Sequence, residues 1–253
     1  LTIETHANNV AASGALTMDG STLTTGVLTF DGTNEGATTP GAFTITTLGT
    51  GGHIITLGSG NDTYTGTGSG DTTITATAGT NTITTGSGAD GITLGTGVDT
   101  VTGGAGIDTI TTATANLVST DTIAGGTGVD IIALSDASAT ATIVDADFTN
   151  VTSVETLTLH TGNDTATLGA ASSAAGIVTV NPGTGTNTTT IGAGHTGDLT
   201  VALSTGVDTV AAASYTGALT VTAAENSITA ADTITGGTGS DTLTITGGGA
   251  GLT

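Results

Sequence analysis

The sequence predicts an all-β chain wound as a parallel β-solenoid with two short strands per coil. Three observations carry this expectation. Aspartates recur at nine-residue steps, Asp62 and Asp71, then after a one-residue slip Asn81, then Asp90, Asp99 and Asp108, most of them closing a glycine-rich hexapeptide. Between the glycines, Thr-x-Thr and Leu-Thr-Val patterns alternate small polar and apolar residues, which is the period of a half-buried strand. Glycine clusters then interrupt these pieces far too often for ordinary helices. Short strands and turns at fixed spacing, rather than long hairpins, indicate a parallel coil. A catalytic site needs a few dissimilar groups converging once. One acidic group repeated at a fixed pitch suits a stack of identical ion sites.

Along the chain three stretches separate. Residues 1–50 hold the strand-like pieces Ala15-Leu16-Thr17-Met18, Val27-Leu28-Thr29-Phe30 and Ala42-Phe43-Thr44-Ile45, expected to be N-terminal coils or a cap. Residues 51–135 carry the dense aspartate array, and residues 136–253 continue in a looser rhythm. There Leu157-Thr158-Leu159, Val178-Thr179-Val180, Leu199-Thr200-Val201 and Leu219-Thr220-Val221 start 21, 21 and 20 residues apart, with partner strands near Thr165, Thr189 and Thr209 between them. Coils of eighteen residues in the array would thus lengthen to about twenty, with no linker or charge block between the stretches. Neighbouring coils bury one another's apolar residues, and terminal coils need a cap or another molecule.

Composition narrows the function. The chain has 253 residues, no lysine or arginine, 21 acidic residues and a formal charge of −21. Internal salt bridges to Lys or Arg are impossible, and self-repulsion is balanced only by cations from solution. Nucleic acid is excluded as a partner, because phosphate binding draws its affinity from Lys and Arg. Anionic membrane surfaces are disfavoured on the same grounds, and no apolar run is long enough to insert in a bilayer. Aromatics are 2% and there is no cysteine, so a thin repeated core stapled by hydrogen bonds and metal is expected instead of a thick core or disulfides. The opening at Leu1, without a basic signal-like start, leads us to expect a processed product or a segment of a larger polypeptide.

The best-formed units read Gly103-Gly104-Ala105-Gly106-Ile107-Asp108-Thr109-Ile110-Thr111, Gly125-Gly126-Thr127-Gly128-Val129-Asp130-Ile131-Ile132-Ala133 and Gly236-Gly237-Thr238-Gly239-Ser240-Asp241-Thr242-Leu243-Thr244. Shortened matches are Gly58-Ser59-Gly60-Asn61-Asp62, Gly86-Ser87-Gly88-Ala89-Asp90 and Gly95-Thr96-Gly97-Val98-Asp99. This array, about a third of the chain, resembles the calcium-binding nonapeptide of RTX (hemolysin-type) proteins, G-G-x-G-x-D-x-U-x. The resemblance implies a β-roll in which each nonapeptide makes half a coil, a six-residue turn followed by a short strand. Residues eighteen apart then stack on one edge, so Asp71, Asp90 and Asp108 form one column and Asp62, Asn81 and Asp99 the other. Calcium (Ca2+) between successive turns would collect about six carboxylate and carbonyl oxygens. Asp130, Asp164, Asp208, Asp232 and Asp241 are further ligand candidates; Asp121 either closes the turn before Asp130 or is an ordinary solvated turn residue. Asn81 offers an amide oxygen without charge, and the glycines before Asp71 are displaced, so both turns are expected to bind more weakly. The competing reading is a calcium-free β-helix in which Asp and Asn satisfy turn amides.

Other chemistry is sparse. His6, His53, His160 and His195 show no zinc-like spacing, and His195 near Asp198 is expected to be a surface imidazole. No nucleophile elbow has a fitting context, and a P-loop lysine is impossible, so no enzyme is expected. Val151-Thr152-Ser153-Val154-Glu155-Thr156-Leu157-Thr158-Leu159 looks like a segment that follows RTX arrays in bacterial surface-layer and related secreted proteins. These resemblances imply an extracellular, self-associating structural protein, the calcium-stabilised building block of a surface layer or filament. The alternatives are a passive spacer or folding segment of a large secreted adhesin, toxin or hydrolase, and an ice-binding solenoid using its threonine-rich faces.

Overall fold

Threonine flanking a single apolar residue produces short strands throughout. The β-branched threonines favour extended backbone, and the residue between them has one face to bury. The computed structural model describes residues 1–4, 14–33, 41–136 and 140–247; His6 lies outside the described residues. The chain divides into two compact units, Leu1–Ile131 and Ile132–Thr253. Each is a parallel β-solenoid in which successive strands alternate between two sheets for most of its length, so that two short strands make one coil, as expected.

In the first unit one sheet runs Thr2–Glu4, Thr29–Asp31, Ile54–Thr56, Thr73–Thr75, Gly91–Leu94 and Thr109–Thr112. The other runs Ala15–Gly20, Ala42–Thr47, Thr63–Gly66, Thr82–Thr84, Thr100–Ala105 and Thr122–Thr127. Parallel pairing stacks Phe30, Ile55, Ile74, Ile92 and Ile110 in one inward column. Ile45, Tyr64, Ile83, Val101 and Ile123 stack in the other, and all ten are 0–1% exposed. These two stacks are the core, each member contributing roughly 1.5–3 kcal/mol by burial. Paired positions Ile54, Thr73, Gly91 and Thr109 lie 19, 18 and 18 residues apart. The step from Thr100 to Thr122 grows to 22, because the coil carries an extra 3-10 turn at Thr114–Asn116.

In the second unit Thr156–Thr158, Thr179–Asn181, Leu199–Ala202, Leu219–Ala224 and Thr242–Thr246 pair in order, opposite Thr142–Ile143, Thr165–Leu168, Gly185–Ile191, Gly206–Ala211 and Thr233–Thr235. One expectation is corrected here: Leu157 pairs with Val180, two residues beyond the Val178 that even spacing assigns it. The cause is a helix, Ala170–Ala175, that the strand rhythm conceals. Its alanines are strong helix formers, and Gly176 ends it in the left-handed region at φ +102°. The added turn stretches that coil to 23 residues.

Thr189 stands in the inward position between Ala166 and Val210. It is 1% exposed, and its hydroxyl has no hydrogen-bond partner. Thr189→Val keeps the shape and removes the unsatisfied group, so denaturant unfolding should show a gain of about 1 kcal/mol. A loss of stability would mean that the hydroxyl is satisfied after all.

Candidate metal centre

The residue just before each paired position of the first sheet forms a buried column. From coil to coil it reads Leu28, His53, Thr72, Asp90, Asp108 and Asp130. On the second sheet the equivalent column reads Leu16, Phe43, Asp62, Asn81, Asp99 and Asp121. All seven acidic or amide members are 0–3% exposed. Each uses its Oδ1 to accept the backbone N–H of the member one coil earlier. Asp90 takes that of Thr72 at 2.6 Å, Asp108 that of Asp90 at 2.8 Å, and Asp130 that of Asp108 at 2.8 Å. On the other edge the steps are Asp62 to Phe43 at 2.7 Å, Asn81 to Asp62 at 3.1 Å, Asp99 to Asn81 at 3.0 Å and Asp121 to Asp99 at 2.9 Å.

Asp71 falls one residue out of this register. Thr72 occupies the buried column position, while Asp71 is exposed and accepts the N–H of Ala89 at 2.8 Å. The displaced glycines ahead of it are the visible sign of the slip. Asp121, by contrast, is a full column member: its Oδ2 also accepts the Val118 N–H at 3.0 Å, closing its own turn. It escaped the nine-residue count because the Thr114–Asn116 insertion displaces it.

The second unit has one polar column and one apolar one. Ala141, Asp164, Asn187, Asp208 and Asp232 share a register, whereas Val178, Leu199 and Leu219 stand in the column of the opposite sheet, followed by Asp241. Asp164, Asn187 and Asp208 are 1% exposed. Asp164 accepts the Ala141 N–H at 2.9 Å, Asn187 that of Asp164 at 3.0 Å and Asp232 that of Asp208 at 2.7 Å. Asp232 is half-buried and Asp241 exposed, the latter accepting the Leu219 N–H at 3.1 Å. Asn187 closes Gly183-Thr184-Gly185-Thr186, the same shortened glycine pattern that precedes Asp99, and the asparagine in the aspartate position concealed it.

Carboxylates stacked one coil apart, about 4.8 Å, repel by roughly 3 kcal/mol at an effective dielectric near 20. Burial, and then the charges of Asp90 and Asp130, push Asp108 up to about 6 against an opposing hydrogen bond from the Asp90 amide. Burial also raises Asp90, Asp99 and Asp208, with Asp71, Asp121 and Asp232 respectively adding to the rise. The amide bonds satisfy one oxygen of each group. The Oδ2 atoms of Asp90, Asp108 and Asp208 are buried with no partner.

These orphaned oxygens test whether a cation fits. At Gly103 an added Cβ would lie 2.4 Å from both Asp108 Oδ2 and the Gly125 carbonyl oxygen, so a bare carboxylate and a main-chain carbonyl flank the same small space. Gly104, at φ +104°, has the Gly86 carbonyl 2.0 Å from its Cβ position, and Gly126 repeats this against Gly104. Only glycine admits such carbonyl-over-Cα stacking. No three acidic or histidine side chains converge on one point among the described residues. Main-chain carbonyls must therefore complete the shell. An all-oxygen set of this kind suits calcium, whose larger, flexible coordination takes carboxylates and carbonyls together. Asp90, Asp108 and Asp130 with their turn carbonyls would hold it best. Both sequence readings meet here, one carboxylate oxygen serving the turn amide and the other facing the ion space.

The histidines stand outside this chemistry. His195 is fully buried, which corrects its expected place on the surface; its Nδ1 lies 3.2 Å from Ser172 Oγ, and burial lowers its pKa. It packs under the Ala170–Ala175 helix, whose first amides are held by the Asp145 carboxylate at 2.7–3.0 Å. Burial opposes ionisation of Asp145, but those amides outweigh it and lower its pKa. His53 continues a column, its Nδ1 accepting the Leu28 N–H at 3.1 Å. His160 pairs with Asp164 at 2.5 Å.

Two outcomes follow. Because Asp108 titrates higher in the folded chain (about 6) than its ordinary 3.8, its contribution is full below that value and disappears as pH rises through 6. The loss amounts to roughly 3 kcal/mol. In EGTA the melting temperature should therefore fall between pH 4 and pH 7, and saturating calcium should abolish the fall; a flat profile in EGTA would contradict it. Gly104→Ala should cost at least about 2 kcal/mol in chemical unfolding. Gly91→Ala, with nothing within 4 Å of its Cβ position, should be nearly neutral.

Comparison with known proteins agrees with this geometry. A family profile, the RTX calcium-binding nonapeptide repeat (4 copies), matches residues 66–101, 93–113 and 229–250. No curated protein and no solved structure matched the chain. The matched stretches contain Asp71, Asn81, Asp90, Asp99, Asp108, Asp232 and Asp241, and the columns extend the same arrangement to Asp62, Asp121 and Asp130. The chain thus carries RTX calcium-binding nonapeptide repeats, and calcium is their ion.

Proposed function

We propose that the chain is a non-enzymatic structural protein of the bacterial exterior, a calcium-stabilised building block of a self-assembling surface layer or filament. The observation that carries this reading is where the acidic chemistry lies. Asp62, Asp90, Asp99, Asp108, Asp121 and Asp130 are 0–3% exposed and engaged in stacking one coil on the next. Groups placed this way hold a scaffold; they are not presented to a substrate. RTX repeat proteins are typically secreted, and calcium is plentiful outside cells. No helix among the described residues is long and apolar enough to cross a membrane.

Self-association has its own support. In the strand Thr242–Thr246, Leu243 stacks in the column of Val221 and Val201 yet is 49% exposed, and nothing pairs with that strand's outer edge among the described residues. A further coil, of the same polypeptide or of another copy, would cover that residue and pair with that edge. Copies carrying a charge of −21 repel, so cations at exposed acids such as Asp71, Asp198 and Asp241 would govern assembly.

Electron microscopy of the purified chain with calcium and with EGTA tests this. Sheets or fibres in calcium, dispersing in EGTA, are expected. Isolated particles under both conditions would overturn assembly in favour of the spacer, and a melting curve indifferent to EGTA would remove calcium from the account altogether.

A further inference from the structure

We infer that Asn81 and Asn187 are internal substitutes for calcium, so that the ion loads only runs of consecutive aspartates and the columns are divided into loaded and ion-free gaps. The inference rests on the calcium reading of the columns and deepens it.

Asn81 fills an aspartate's place and also does a cation's work. Its Oδ1 accepts the Asp62 N–H at 3.1 Å, as a column aspartate would. Its Nδ2 donates to Asp99 Oδ1 at 3.0 Å, the oxygen that already takes the Asn81 backbone N–H at 3.0 Å. Asp99 therefore meets two N–H donors from the coil before it, and Asn81 adds no charge to repel it. The second unit repeats the arrangement independently. Asn187 Oδ1 accepts the Asp164 N–H at 3.0 Å, and its Nδ2 donates to Asp208 Oδ1 at 3.1 Å. Both asparagines are 1% exposed, so solvent does not serve these carboxylates in their stead. Asp164, above Asn187, has His160 against its Oδ2.

Where aspartate follows aspartate, the neighbouring column residue brings no side-chain N–H donor. Asp90 and Asp108 each leave Oδ2 buried without a partner, and Asp108 stands between two further carboxylates. Asp208 keeps an orphaned Oδ2 even though Asn187 answers its Oδ1, and the next column residue, Asp232, is again a carboxylate. Calcium needs carboxylate charge to repay the loss of its own hydration. An amide directs the positive end of its dipole into the same gap. The loaded gaps are then Asp90–Asp108, Asp108–Asp130, Asp99–Asp121 and Asp208–Asp232. The gaps on either side of Asn81 and of Asn187 are closed without an ion.

The test is Asn81→Asp, nearly isosteric, with bound calcium counted by elemental analysis and calorimetric titration of the whole chain. The variant should hold one or two more ions than the parent, melt below the parent in EGTA, and lose that deficit in saturating calcium. Asp99→Asn is the converse and should hold about one ion fewer, which keeps the inference testable if the first variant does not fold. Unchanged stoichiometry in both variants, in a parent that binds calcium, overturns this inference alone. A parent that binds no calcium overturns the calcium reading with it.

Discussion

The whole structure turns on burying negative charge in a chain that has no lysine or arginine. Seven column positions of the first unit carry carboxylates or an amide at 0–3% exposure. Desolvating an ionised carboxylate costs several kcal/mol unless a partner compensates. The chain supplies half of that compensation from its own backbone, since every column residue collects an amide from the coil before it. Where no further internal donor answers, as the Val118 amide does for Asp121 and Asn81 for Asp99, the rest must come from outside, as protons or as calcium. Folding and ion binding are then one equilibrium, as in other small metal-organised domains.

Glycine makes this possible at close quarters. Coil-to-coil spacing in a parallel sheet is fixed by the hydrogen-bond ladder, and turns must stack at the same pitch as strands. Gly104 and Gly126 let a carbonyl of the preceding coil sit over the Cα, where a side chain would collide. The same contact that tightens the stack brings carbonyl oxygens beside the carboxylates. Structural economy and ion coordination thus share one set of atoms. The second unit shows what happens when one edge abandons this scheme. Leu199 and Leu219, both buried, take over the column, and coherence comes from their apolar packing and from Asp145 capping the Ala170–Ala175 helix.

Much of this was legible in the sequence wherever the period was undisturbed. Asp90, Asp99 and Asp108 fall eighteen or nine residues apart because their coils contain nothing but turn and strand, so position alone placed them. Asp71 misled because its own turn is shifted by one residue, and burial selected Thr72 over a carboxylate that could stay solvated. Asp121 was hidden by an insertion that preserves register in space while breaking it along the chain, and Asn187 by being an asparagine in an aspartate's place. The Ala170–Ala175 helix was invisible to a strand rhythm, although its alanines and flanking glycines were plain. His195 was misplaced because sequence shows its neighbour Asp198 but not the helix that covers it.

The ladder of amide-to-carboxylate bonds also has a direction. Each acceptor belongs to the later coil and each donor to the earlier one, without exception from Phe43 and Asp62 to Asp99 and Asp121, or from Thr72 and Asp90 to Asp108 and Asp130. A chain made available from its C-terminal end presents every carboxylate before the amide it will receive, so each arriving segment docks onto a finished template. Released from its N-terminal end, the same chain leaves every amide waiting for a partner that has not yet appeared. The stack is symmetric in architecture but not in time.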